Sequence, residues 1–206
     1  MDYLMYFFKC FLTFFVIVDP PGNLPIFIGL TSRFKEELRE KISKRMTTIA
    51  LSILIITTIS GGAILDFFHV SINSLRIAGG ILLFIISVDI LLGAHGREEY
   101  RKRAEKSAEV DSLAVFPLAL PLYTGPGAIT AGIVMYSQAS DLISRLIVVL
   151  SAILVYAIVR LTHIYSGWII KLLGKSGADI VAKVLAIFLA AIGVEFVIGG
   201  FRSEFA

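Results

Sequence analysis

Asp19-Pro20-Pro21-Gly22-Asn23-Leu24-Pro25 interrupts one long apolar stretch, and Tyr123-Thr124-Gly125-Pro126-Gly127-Ala128 interrupts another. Proline lacks an amide hydrogen and its ring clashes with the preceding turn, so neither cluster continues an ordinary α-helix. The stretches that hold the clusters, near residues 3–30 and 113–137, are each long enough to cross a hydrocarbon core of roughly 30 Å. Four more apolar stretches lie near 46–68, 72–92, 146–173 and 180–201. Their composition agrees: 57% of the 206 residues are hydrophobic, and the mean hydropathy is +0.86. Such a chain needs lipid as its solvent. In lipid the backbone must pair internally, which selects helices, and the runs are too long and too uniform for barrel strands. The expected fold is all-α and integral to the membrane, with about six spans, the first and fourth broken at mid-depth. Met1 to Val18 lacks a basic leader and a small-residue cleavage site, so it reads as part of the first span.

A break at membrane depth is tolerated only where protein or a water-filled cavity satisfies the freed backbone. Each break also starts a new helix, near 22–24 and 127–129. Free amides and the positive dipole end there form an anion site, and a carboxylate fits it. The plainer reading is a pair of packing kinks. Matched clusters in the two halves favour function, and so does Asn23, since the chain has only Asn23, Asn73 and Gln138 as amide side chains.

The halves align at a shift of about 105 residues, as expected of a duplicated transporter unit. Pro21-Gly22 falls on Pro126-Gly127, and Ser60-Gly61 on Ser166-Gly167. Ile86–Gly93 falls on Ile192–Gly199, which sets Asp89 opposite Glu195. A unit with an odd number of spans inserts its second copy upside down. The expected organisation is 1–93 as the first three-helix repeat, 94–112 as a cytoplasmic linker, and 113–206 as the second, inverted repeat. Arg33, Lys35, Arg39, Lys41, Lys44 and Arg45 follow the first span, and Arg97, Arg101, Lys102, Arg103 and Lys106 follow the third. Basic loops stay inside, so both termini fall outside the cytoplasm. The net charge of +3 reports this orientation and does not point to nucleic acid.

Ionisable residues within spans are expensive and need partners. Asp19 stands beside the first break, either as a contact for an ammonium, cation or proton, or as the cap of the helix that follows. Arg160 lies near the middle of the fifth stretch and His163 one turn later. An Asp19–Arg160 ion pair is the simpler expectation, and His163 reads as a packing residue. Asp89 and Glu195, nearer span ends, are candidates for gating or coupling. Gly61, Gly62, Gly79, Gly80, Gly199 and Gly200 read as points of close helix approach. Cys10 is the lone cysteine, which excludes an internal disulfide. No nucleotide-binding loop or hydrolytic signature is present, so neither ATP drive nor enzymatic chemistry is expected.

With PPGNLPIF and LYTGPGAIT in view, the chain resembles the MarC family, also described as small neutral amino acid transporters. The resemblance runs over essentially the whole chain, and Asp19–Asn23 and Thr124–Ala128 are its most specific parts. It implies a multi-pass inner-membrane protein and a substrate such as glycine or alanine. The residues themselves imply a transporter with a carboxylate site. Asp19, Pro20, Pro21, Gly22, Asn23, Leu24, Thr124, Gly125, Pro126, Gly127, Ala128 and Thr130 are its expected lining. Asp19, Asp89, Arg160 and Glu195 are the candidates for coupling to a proton or sodium ion. No metal and no cofactor is expected. A passive pore or a membrane scaffold subunit is the alternative.

Overall fold

The computed structural model describes residues 2–93 and 110–205, and these contain helices and no strand. The expected linker, 94–112, therefore lies outside the described residues but for its last three. Helix α1 (Tyr3–Val18) is capped by Asp2, whose carboxylate accepts from the amides of Leu4 and Met5. It ends at Asp19, which is left-handed at φ 45° and ψ 64°, a conformation that asparagine and aspartate tolerate better than most residues. Helix α2 (Pro20–Thr31) follows at once, with its two prolines in the first turn, where no amide is needed. The first break is thus a hinge at one residue, and Tyr3–Thr31 runs on as a 29-residue span.

Helix α3 (Glu36–Phe67) begins well before the apolar stretch at 46. The residues taken as a basic loop are good helix formers, and Glu36 and Glu37 suit the positive end of the dipole. Helix α4 (Ile72–Leu92) closes on left-handed Gly93, φ 66°. After the single turn α5 (Val110–Leu113) comes the irregular, wide-turned helix α6 (Ala114–Tyr123). Phe116 and Leu120 are extended within it, as expected of residues that precede prolines. Helix α7 (Pro126–Gln138) leaves at an angle, and the pair 111–123 and 126–138 is bent by 60°.

Helix α8 (Leu142–Ile164) starts on an Asp141 cap, whose carboxylate accepts from the Ser144 amide. Its last residue is Ile164, nine short of the expected 173. The Tyr165 amide bonds back to the Leu161 and His163 carbonyls, and α9 (Ser166–Phe205) begins and then kinks at left-handed Gly174. Arg160 and His163 therefore occupy the last turns of a span, not its middle. Ser60-Gly61 sits inside α3 whereas Ser166-Gly167 opens α9, so that pair of dipeptides does different work in the two halves.

Five helices are long and apolar enough to cross a membrane, and the bent pair makes a sixth span if it counts as one. Large apolar side chains cover the outside, among them Ile56, Phe67, Leu92, Leu146 and Phe188. A soluble protein would not present such a surface. Inside, helix α4 lies against α9, α1 against α8, α3 against α6, α2 against α9 and α4 against α7. Where α4 crosses α9, glycine meets glycine. A Cβ at Gly80 would stand 2.5 Å from the Gly193 carbonyl oxygen, and one at Gly193 would stand 2.7 Å from that of Gly80. Gly200 meets the Asn73 carbonyl and Asn73 donates to Glu204 at 2.9 Å. Residue numbers rise along one helix as they fall along the other, so α4 and α9 are antiparallel. Small residues permit this in lipid, where packing rather than water drives helix association.

Candidate functional site

The two breaks lie side by side. A Cβ on Gly127 would be 3.8 Å from Ile17 Cγ2 and would press on Leu83. Both breaks are deeply set: Asp19, Pro20, Gly22 and Leu24 are buried at the first, and Thr124, Gly127, Ala128 and Thr130 at the second. Pro21, Asn23 and Gly125 are part-buried, and Pro126 is exposed.

At the first break the chain satisfies itself. Asp19 Oδ1 accepts from the Gly22 amide at 3.0 Å, and Asn23 Nδ2 donates back across the hinge to the Val18 carbonyl at 2.9 Å. The expected anion site at this helix end is already occupied by the protein's own carboxylate. A Cβ on Gly22 would collide with Asp19 and with Ala182 of α9, so glycine keeps that capping bond compact.

At the second break Gly125 stands where a cap would stand, and it has no side chain to offer. Pro126 follows without an amide, and no side chain among the described residues accepts from the amides of Gly127 or Ala128. This end is held from behind. Thr124 Oγ1 shares its one hydrogen between the Ala50 carbonyl of α3, at 2.9 Å, and the Tyr156 hydroxyl. Tyr156 in turn donates to the Tyr123 carbonyl at 3.0 Å. Those bonds occupy the freed backbone and leave the helix end itself open. Thr130, one turn on, packs against Gly79 of α4.

A second polar cluster adjoins the first. Tyr123 OH is 2.8 Å from His163 Nε2, and His163 Nδ1 is 2.9 Å from Ser43 Oγ. Arg160 donates to Ser43 Oγ at 2.8 Å and pairs with Glu40 at 2.9 Å. This corrects the expected Asp19–Arg160 ion pair. With α8 ending early, the guanidinium reaches the first turns of α3 instead. Phe27 of α2 stacks on the His163 ring, with centroids 3.7 Å apart. A cavity of about 210 Å³ opens here, lined by Phe27, Arg39, Glu40, Ser43, Arg160 and His163 among others. The sequence reading missed Tyr156, Ser43 and Glu40. The signal was present in part, since Tyr156, Arg160 and His163 fall at i, i+4 and i+7 and share one helix face.

Asp89 and Glu195 stand apart. Both are exposed on the outer faces of α4 and α9, and no hydrogen bond or ion pair among the described residues joins either to the breaks. Glu195 is two residues from the Gly80–Gly193 crossing, which sets it well inside the span and not at its end. Among the described residues no group of histidine, cysteine and acidic side chains is placed to hold a metal ion.

The family model of the MarC family integral membrane proteins matches residues 4–205. A UPF0056 membrane protein of Archaeoglobus fulgidus is 71% identical, over 98% of this chain and 95% of its own length. A UPF0056 membrane protein of Methanocaldococcus jannaschii is 36% identical, over 97% of each. The UPF0056 membrane protein YhcE of Escherichia coli is 33% identical, over 99% of this chain and 95% of its own. No solved structure matches the chain. Apolar spans, paired breaks and a match from one end to the other lead to one conclusion: the chain belongs to the MarC family of integral membrane proteins.

Proposed function

We propose that this protein is a secondary transporter of small neutral amino acids such as glycine, and not an enzyme. The observation that carries the reading is the uncapped start of α7 beside the capped start of α2. The amides of Gly127 and Ala128 would bind the substrate carboxylate, aided by the helix dipole. Asp19 and the unwound carbonyls near Val18 and Thr124 would face the ammonium, with Asn23 and Thr130 as neighbouring polar groups. The packing around Gly22 and Gly127 is tight, since a Cβ at either would collide with Asp19 or Leu83, which favours the smallest substrates. A proton or sodium ion would couple transport to a gradient.

An organisation in two inverted repeats would suit the mechanism, and the order of the elements favours it. Pro20 opens α2 and Pro126 opens α7, while Glu36 opens α3 and Leu142 opens α8. The packing repeats as well: α1 meets α8 as α6 meets α3, and α2 meets α9 as α7 meets α4. The antiparallel α4–α9 pair would lie on the axis that exchanges the halves. An axis in the membrane plane favours alternating access by rocking one repeat against the other. By the positive-inside rule the basic residues at the start of α3 would lie on the cytoplasmic side of the cell membrane with the Arg160–Glu40 cavity, and both termini would lie outside. Asp89 and Glu195, on the outer face, would then act on gating from the periphery, through helix motion.

Purified protein in liposomes tests the reading. Radiolabelled glycine should exchange across the membrane, saturably and without ionic current. Ohmic current far above carrier turnover would favour a pore. No exchange with any small amino acid would favour a scaffold subunit.

A further inference from the structure

We infer that Arg76 receives the substrate carboxylate on the extracytoplasmic side, when the open end of α7 slides by one heptad along α4 to reach it. The receptor role rests on the transport reading, while the slide does not. Arg76 stands one turn inside the outer end of α4. Its guanidinium folds over Gly199, where a Cβ would collide with it, and lies 5.8 Å from the centre of the Phe196 ring. Its Nε is buried with no hydrogen-bond partner, and no carboxylate among the described residues pairs with it. A cation held inside a span without an acid is costly, and such residues mark the paths of ions and substrates.

Bonds and stacked rings between helices divide the molecule into two bodies. Asn73 to Glu204 joins α4 to α9. The Tyr6 hydroxyl donates to the Met135 carbonyl at 2.8 Å and joins α1 to α7. Thr124 to Ala50, Arg160 to Glu40, Tyr123 to His163, and Phe27 stacked on His163 tie in α2, α3, α6 and α8. The pair of α4 and α9 meets this larger body through side chains on glycine: Leu83 on Gly127, Thr130 on Gly79 and Ala182 on Gly22. Packing of carbon on glycine carries no hydrogen bond and lets the bodies slide. The two connections between them, α3 to α4 and the α8 end to the long part of α9, each hold one left-handed residue, His69 at φ 53° and Gly174 at φ 66°.

The register gives the distance. On the alignment that sets Ile86–Gly93 on Ile192–Gly199, Leu83 falls on Leu189 and Arg76 on Ala182. If the halves packed alike, Gly22 would face Leu189 as Gly127 faces Leu83. It faces Ala182 instead, one heptad toward the cytoplasm, or about 10 Å at a rise of roughly 1.5 Å per residue. Exchanging the packing of the halves, as inverted repeats do between two states, carries Gly22 to Leu189 and Gly127 to Arg76. Because α4 and α9 are antiparallel, both moves are outward and equal, so one slide of the larger body makes them together. Arg76, Gly79 and Leu83 fall at i, i+3 and i+7 on one face of α4. Arg76 is thus the next position on the track that α7 already follows. There its guanidinium and the amides of Gly127 and Ala128 would hold one carboxylate between them.

Two measurements test this on the full-length protein in bilayers. In the first, spin labels on Leu92→Cys and Gln138→Cys, with Cys10→Ser, report their separation by pulsed electron resonance, with and without saturating glycine. They mark the inner end of α4 and the outer end of α7, so the slide lengthens their separation by about 10 Å. Two populations that far apart are expected. A single distance in both conditions would overturn the slide. In the second, oriented proteoliposomes give the half-saturating glycine concentration at each face. Arg76→Gln should raise it about 30-fold at the extracytoplasmic face, as for loss of a charged hydrogen bond, and less than about twofold at the cytoplasmic face. Arg76→Lys should restore most of the external affinity. An equal rise at both faces, or none at the outer one, would overturn the receptor role. If the parent itself moves no glycine, the transport reading fails alone, and the spin-label distances still decide the slide.

Discussion

Two half-helices begin side by side in this protein, each on a proline, and they differ in the residue just before it. Asp19 precedes Pro20 and reaches forward to bind the Gly22 amide. Gly125 precedes Pro126 and reaches nothing. The first end is closed by its own carboxylate and continues its span with a hinge at one residue. The second is open, and its two arms are bent by 60°. The backbone device is present twice, but the chemistry lies in the difference between the copies. A carboxylate from outside would have to compete with Asp19 at the first end and would meet no such competitor at the second.

The sharpest way to break this contrast is to give the second end the cap that the first has. Gly125→Asp should fill the open amides from within and weaken glycine binding about 100-fold, or ~2.7 kcal/mol. A Cβ there meets the Pro121 carbonyl oxygen at 2.9 Å, so Gly125→Ala supplies the steric control and should lose much less. Calorimetric titration of both variants measures the difference. Equal losses would mean that crowding, not charge, governs the site.

The converse change opens the first end. Asp19→Ala loses a helix cap worth ~1 kcal/mol and leaves a left-handed residue that costs ~1 kcal/mol more. Asp19→Asn still caps and tolerates the backbone, so its melting temperature should stay near the parent's while that of Asp19→Ala falls. A similar fall in both would show that the negative charge, not the cap, holds the hinge. A smaller effect is expected behind the second break. Tyr156→Phe removes the donor to the Tyr123 carbonyl and should cost about 1 kcal/mol, seen as a lower melting temperature in detergent. The smallest is Glu40→Gln. The Glu40 side chain is 68% exposed, so its pairing with Arg160 is worth at most ~0.5 kcal/mol, and thermal melts should barely separate the variant from the parent.

Much of this was legible from the residues. Prolines and glycines announced both breaks, hydropathy announced the spans, and Gly79, Gly80, Gly199 and Gly200 announced close helix contacts. Helix ends were less legible because hydropathy does not set them. Helix α3 starts in charged residues that happen to be good helix formers, and α8 stops at Tyr165 on a backbone cap. That early stop moved Arg160 from the expected mid-depth to the side of Glu40, and so removed its expected partner. The role of Asp19 stayed open between cap and contact, since one residue type serves both. The Thr124–Ala50 and His163–Tyr123 contacts join residues far apart in the chain. No local pattern encodes them.

The central claim is that a substrate carboxylate binds the open end of α7. Solid-state NMR on the protein in bilayers, with ¹³C-carboxyl glycine bound and ¹⁵N at the Gly127 and Ala128 amides, measures that contact directly. The account predicts strong dipolar coupling from the glycine carboxyl carbon to these two amides, as for direct hydrogen bonds of roughly 3 Å between nitrogen and oxygen. Coupling to the Gly22 amide instead, or bound glycine with no coupling to either helix end, would contradict it.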